Sequence, residues 1–180
     1  MNSIDIKDST NTIKNTLKFQ FDISWQLLEF HLTNIEDEEC IWRPASNGLH
    51  VYKNSGVWCA DWPETEEYSI GPASIAWVTW HIIYWWSMVL DHSFGEGTLT
   101  RNYINWPGNI IDVKKKIYEL REEWMRILTS LSDEDFISTE RTKWPFTDRP
   151  FYELVAWLNV ELMKNAAEIG YCRFLYASQK

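Results

Sequence analysis

Ile13, Leu17, Phe21, Trp25, Leu28 and Leu32 recur at intervals of three and four residues, one stripe of a 3.6-residue period. That spacing predicts a first helix from about Thr12 to Asn34, with an apolar face that must be covered. A second apolar stretch, "AWVTWHIIYWWSMVLDH" over residues 76–92, has neither glycine nor proline. "GPAS" before it offers a turn and a capping serine, Ser74, and "FGEG" after it ends the helix near His92. Ile110, Val113, Ile117, Leu120, Trp124 and Leu128 mark a third helix from Asn109 to Ser130, with charged residues on its other side. Ser132 and Asp133 then look like the cap of a short extra turn. A fourth helix follows Pro150, which suits a first helical turn, and extends through Tyr152 to about Ala177.

The connections between these helices are unequal. Long ones join the first helix to the second and the third to the fourth, so the chain does not read as a simple up-down bundle with tight turns. Long connections permit crossovers. "IEDEECIWRP" after the first helix also resembles "LSDEDFISTE" after the third, and each leads to a proline-started helix. Trp77 precedes His81 by four residues, as Trp157 precedes Glu161. The pattern suggests two helical hairpins related by an approximate twofold. Residues 1–180 read as one all-α domain, with 1–11 as a flexible N-terminal tail.

Composition narrows the partners. Seventeen Lys and Arg against 26 Asp and Glu give a formal charge of -9, which repels nucleic acid and anionic lipid. The only basic run, Lys114 to Lys116, fits a solvated helix face. Thr79, His81, Ser87 and Asp91 interrupt the longest apolar stretch, so it falls short of the ~20 apolar residues of a membrane span. The N-terminus shows no signal-peptide pattern. Cys40, Cys59 and Cys172 are widely spaced and odd in number, which suits a reducing compartment. These features lead us to expect a cytoplasmic protein with a small-molecule partner and no nucleic-acid or membrane partner. A homodimer through helix faces is compatible with the same reading. Twelve tryptophans, eight tyrosines and eight phenylalanines point first to aromatic core packing.

Residues four apart on a helix share a face, so Glu161 and Asn165 can point at one spot, joined by His81 if the second and fourth helices are neighbours. An imidazole and a carboxylate are plausible ligands for Zn, Ni, Mn or Fe, whereas the amide of Asn165 is a weak donor for the softer metals. Glu168 could enter the same shell or orient a ligand from behind it. Other histidines carry less. His31 falls near the end of the first helix, where positive charge suits the carbonyls. His50 lies in a loop that could form the mouth of a pocket. His92 is three turns, roughly 16 Å, beyond His81 and cannot share its metal. No nucleophile elbow, dinucleotide fingerprint or P-loop is present.

"IEDEECIWRPASNGLH", "SIAWVTWHI" and "ELMKNAAEIGYCRFL", in this order and spacing, resemble the DinB/YfiT-like superfamily from about residue 15 to 177. The resemblance implies an up-down-down-up four-helix bundle that holds a divalent metal through one histidine on the second helix and a His-x3-His pair on the fourth. His81 matches the first ligand; Glu161 and Asn165 stand where the paired histidines would be. It also implies activities such as metal-dependent hydrolysis, or S-transfer and isomerisation with low-molecular-weight thiols. Three arrangements stay open: a metal site of His81, Glu161 and Asn165; a metal-free pocket in which His81 and Glu161 form an acid–base pair; and a structural His81–Glu161 hydrogen bond. The function classes are correspondingly a metal-dependent hydrolase or thiol transferase and a non-catalytic binding or structural bundle. The family's name adds a DNA-damage regulator, which the acidic balance disfavours.

Overall fold

The computed structural model describes residues 6–65 and 67–179. Four long helices dominate: α1 (Ile6–Leu32), α3 (Ile75–Phe94), α4 (Ile110–Ser130) and α6 (Phe151–Ala177), with one-turn helices α2 (Asp37–Ile41) and α5 (Asp133–Ile137) after α1 and α4. The protein is an all-α four-helix bundle. The first helix starts at Ile6, earlier than the period of its apolar stripe predicts, because residues 7–12, KDSTNT, are polar and carry no apolar period to read. Residues 6–11 of the expected N-terminal tail are the first turns of α1; residues 1–5 lie outside the described residues.

Side-chain pairs fix the helix directions. Asn159 of α6 donates to the Leu17 carbonyl of α1, and Arg173 donates to those of His31 and Thr33, so α1 and α6 run parallel. Lys14 reaches the Leu131 carbonyl beyond α4 while Trp25 meets Tyr118, which makes α1 and α4 antiparallel. Cys172 bonds the Ala73 carbonyl and Trp85 meets Trp157, so α3 and α6 are antiparallel too. The order is up-down-down-up. Around the bundle α1 adjoins α6 and α4, and α3 adjoins the same two helices. Helices joined in sequence, α1 with α3 and α4 with α6, therefore sit on diagonals, which is why their connections are long.

The core explains why α3 is apolar on every side. Residues 75–80 are all buried. The bundle interior covers part of this helix, with Trp86 against Phe21 and Trp25. Its outer side is covered by the chain before and after it. Trp77 Nε1 donates to the Asp61 carbonyl at 2.8 Å, Trp80 Nε1 to the Ile104 carbonyl at 2.7 Å, and Trp106 Nε1 to Thr79 Oγ1 at 3.1 Å. Each indole buries its ring and still finds an acceptor for its N–H.

The first long connection also holds an element absent from the helical reading. β1 (Val51–Asn54) and β2 (Val57–Ala60) pair antiparallel, with Val51 opposite Ala60 and Asn54 opposite Val57. Ser55 at φ 50° and Gly56 at φ 86° make the two-residue turn, the left-handed pair that matches hairpin twist. Trp58 of this hairpin packs edge-on against Trp106 at 5.1 Å. The caps agree with expectation: Ser74 accepts from the Trp77 amide, and Ser132 closes a capping box with Asp135. Among the described residues, no helix is long and apolar enough to cross a membrane.

Candidate functional site

Between α3, α6 and the connections that precede them lies a hollow of about 1060 Å³. Its walls are aromatic and its charged groups come mostly from α6. A second hollow, of about 740 Å³ between α3 and α4, is lined by none of His81, Glu161, Asn165 and Glu168.

His81 lines the first hollow one turn after Trp77, and the two rings stack at 4.9 Å with 12° between planes. The Trp77–Asp61 bond holds the indole, and the indole holds the imidazole. Burial, reinforced by the Lys164 ammonium, lowers the His81 pKa from 6.5 to about 4, while contact with Asn165 works the other way. The ring is therefore neutral at neutral pH. Its Nδ1 is buried without a hydrogen-bond partner.

Glu161 enters the same hollow from α6. Its carboxylate accepts from Lys164 at 2.7 Å, a pair three residues apart on one helix face. Asn165 lies behind the wall, fully buried. Its Oδ1 accepts from Trp85 Nε1 at 2.9 Å and its amide donates to Glu168 at 2.9 Å. Among the described residues no hydrogen bond joins His81 to Glu161; Lys164 holds the carboxylate instead. Cys172 also faces this region, and burial, with Glu168 nearby, pushes its thiol up to about 11. It donates to the Ala73 carbonyl at 3.3 Å, so it is a protonated wall group and not a thiolate.

Two other histidines differ from their sequence reading. His31 does not supply the positive charge at the end of α1, because burial and the neighbouring Arg173 lower its pKa; Arg173 meets those carbonyls itself and also pairs with Glu39 at 2.8 Å. His50 is buried, both its ring nitrogens lack partners, and it stands against Gly48 and not at the pocket mouth. Asp91 and His92 tie the turn after α3 through the Leu99 backbone.

A profile of the DinB superfamily matches residues 20–169. The chain belongs to that superfamily. No curated protein and no solved structure matches it. In a DinB bundle the metal would be sought at His81, Glu161 and Asn165, and the contacts around those residues test the fit. The Asn165 oxygen already accepts an indole N–H, Glu161 is engaged by an ammonium, and that ammonium would repel an incoming cation. Among the described residues no cluster of three His, Cys, Asp or Glu side chains could hold a metal ion. As the side chains stand, they do not form the donor set a divalent cation needs.

Sequence reading missed Lys164, Trp62 and Trp144 as residues of this site. A signal was present for each. Lys164 follows Glu161 by three on a helix, the spacing of an ion pair. Trp62 and Trp144 both belong to Trp-Pro dipeptides in the connections before α3 and α6, so the weak internal repeat carried pocket residues as well as helices.

Proposed function

We propose that this DinB protein binds a small organic molecule in the hollow between α3 and α6 without a resident metal ion. The observation that carries the reading is the engagement of the two positions beside His81: Glu161 by Lys164, and the Asn165 oxygen by the Trp85 indole. General-base chemistry receives no support either, because an imidazole with a pKa near 4 is a weak base far below the working pH. Cys172 is no readier as a nucleophile. A sizeable concave space with aromatic walls and a few polar groups fits ligand binding.

The alternative, a metal-dependent hydrolase or thiol transferase, requires a cation to displace both Lys164 and Trp85 from their partners. Elemental analysis of the purified chain, after exposure to zinc or manganese and desalting, separates the two. Metal well below one equivalent, and equal in wild type and His81→Ala, is the expected result. One equivalent retained by the wild type and lost from His81→Ala would overturn the metal-free reading.

A further inference from the structure

The rings around the hollow form a connected series. Trp62 meets Tyr84 at 5.3 Å and 71°, Tyr84 meets Trp144 at 5.6 Å and 80°, and Trp144 meets Trp157 at 5.8 Å and 81°. Trp157 in turn meets Trp85 at 6.2 Å and 74°. All five line the same hollow. These rings line the space from several sides at near right angles to their neighbours, and Tyr84 also stacks on Trp80 at 5.4 Å and 7°, which covers one of its faces. In a solid core such pairs close on one another; here a hollow remains between them.

Charge gives the corner a sign. Glu64, Glu67, Glu161 and Glu168 line the hollow against one lysine, Lys164. The lining thus has a surplus of three negative charges, four carboxylates against one ammonium. Arg101 stands over the Trp62 ring at 4.4 Å, which reduces that surplus at the rim and shows that this wall already accommodates a cation. Among the described residues no cation of the protein stands over Tyr84, Trp144 or Trp157.

We infer that the ligand of this hollow is an organic ammonium ion, seated against Tyr84, Trp144 and Trp157 with Glu161 and Glu168 as counter-charges. The inference rests on the pocket reading proposed above and names the ligand class for it. Tryptophan and tyrosine faces attract alkylammonium groups through their quadrupoles, most strongly where water is excluded. A carboxylate at the edge of such a corner compensates the charge that the rings alone solvate only partly. Lys164 is the cation of the lining itself that opposes this ligand. Its pairing with Glu161 makes it a competitor for that carboxylate, so its removal should tighten binding.

Titration calorimetry with choline, its neutral carbon isostere 3,3-dimethylbutan-1-ol and butyrate tests the class on the wild-type chain. Choline is expected to bind, with the isostere weaker by on the order of tenfold and butyrate not binding. Trp144→Leu, which keeps apolar volume in a half-buried loop position, should lose most choline affinity while its circular dichroism is unchanged. Lys164→Met should strengthen choline binding several-fold, and Glu161→Gln should weaken it. Equal or tighter binding of the neutral isostere or of butyrate would overturn the ammonium assignment while leaving a metal-free pocket in place. Absence of choline binding in both wild type and Lys164→Met would also overturn it. Failure of the pocket reading is recognised separately, by His81-dependent retention of metal.

Discussion

Trp85 and Trp86 are consecutive on α3 and stack at 5.4 Å, yet they serve different regions. Trp86 lies in the closed core, against Phe21 and Trp25 of α1, with its indole N–H buried and unpartnered. Trp85 turns to α6, where its N–H meets Asn165 and its ring meets Trp157 at the edge of the hollow. One region fills its volume and leaves the Trp86 N–H unpartnered; the other gives the Trp85 N–H an acceptor and leaves a space. The difference lies in what α6 and the loop before it present. α1 offers a stripe of large side chains, whereas α6 offers Glu161, Lys164 and a buried amide. An aromatic-rich helix can thus build solid core and cavity wall from adjacent residues.

The sharpest way to break this contrast is to delete one ring from each region. Trp86→Ala, in the closed core, should cost about 3–5 kcal/mol of stability, the range for a large aromatic removed from a packed interior. Trp144→Ala should cost much less, about 1 kcal/mol, because its half-buried ring borders an existing hollow. Urea denaturation at neutral pH measures both. Equal losses would mean that the hollow wall is packed as tightly as the core.

Acid sharpens the same comparison, since the hollow side carries the titrating group. His81 has a folded pKa near 4 against an ordinary 6.5, so the unfolded chain takes up its proton first as pH falls. Stability is full above pH 6.5, declines between 6.5 and 4, and levels below that. At roughly 1.4 kcal/mol per unit the loss is about 3 kcal/mol. His31 and His50 are lowered as well and contribute in the same direction, so the diagnostic quantity is the difference between wild type and His81→Gln. The variant should show a flatter decline over that window. Identical pH profiles would mean that His81 is not held neutral by its surroundings.

Asn165 joins the two regions through Trp85. Asn165→Ala strands a buried indole N–H, and a cost of about 1–3 kcal/mol follows. A shift in tryptophan emission should accompany it, and restoring the acceptor with Asn165→Gln should recover part of the loss. A neutral outcome for Asn165→Ala would indicate that water reaches the indole from the hollow.

The two regions were unequally legible in the sequence. The stripe Leu17, Phe21, Trp25, Leu28 and Leu32 is buried as its period predicts, because burial of a helix face depends on spacing alone. The long connections signalled that crossovers were possible, but the helices they join, α1 with α3 and α4 with α6, sit on diagonals and not as the two hairpins the internal repeat suggested. The placement of His81 and Glu161 around one hollow also followed, because that needs only helix neighbours and face. What those residues touch did not follow. Whether Glu161 meets a metal, His81 or Lys164 depends on side-chain rotamers, and all three partners lie within reach of the same backbone. The hairpin was missed because "VYKNSGVWCA" forms two four-residue strands whose burial does not alternate, β1 being exposed at three of its four positions.

Lys164→Met is expected to have the smallest effect on stability and the most specific local one. Its pair with Glu161 is half exposed on the lysine side, and such surface pairs contribute about 0–1 kcal/mol, so unfolding should change little. The local electrostatics should change visibly, because the ammonium is one of the two causes that depress the His81 pKa. Removing it leaves burial as the remaining depressing cause, so the pKa rises from about 4 but stays below 6.5. Titration of the His81 ring protons by NMR reads that rise directly. An unmoved His81 would place Lys164 outside the electrostatics of the hollow, and a large loss of stability would make the pair part of the scaffold. A raised His81 pKa with stability unchanged would mark the lysine as a group that sets the character of the cavity without holding the bundle together.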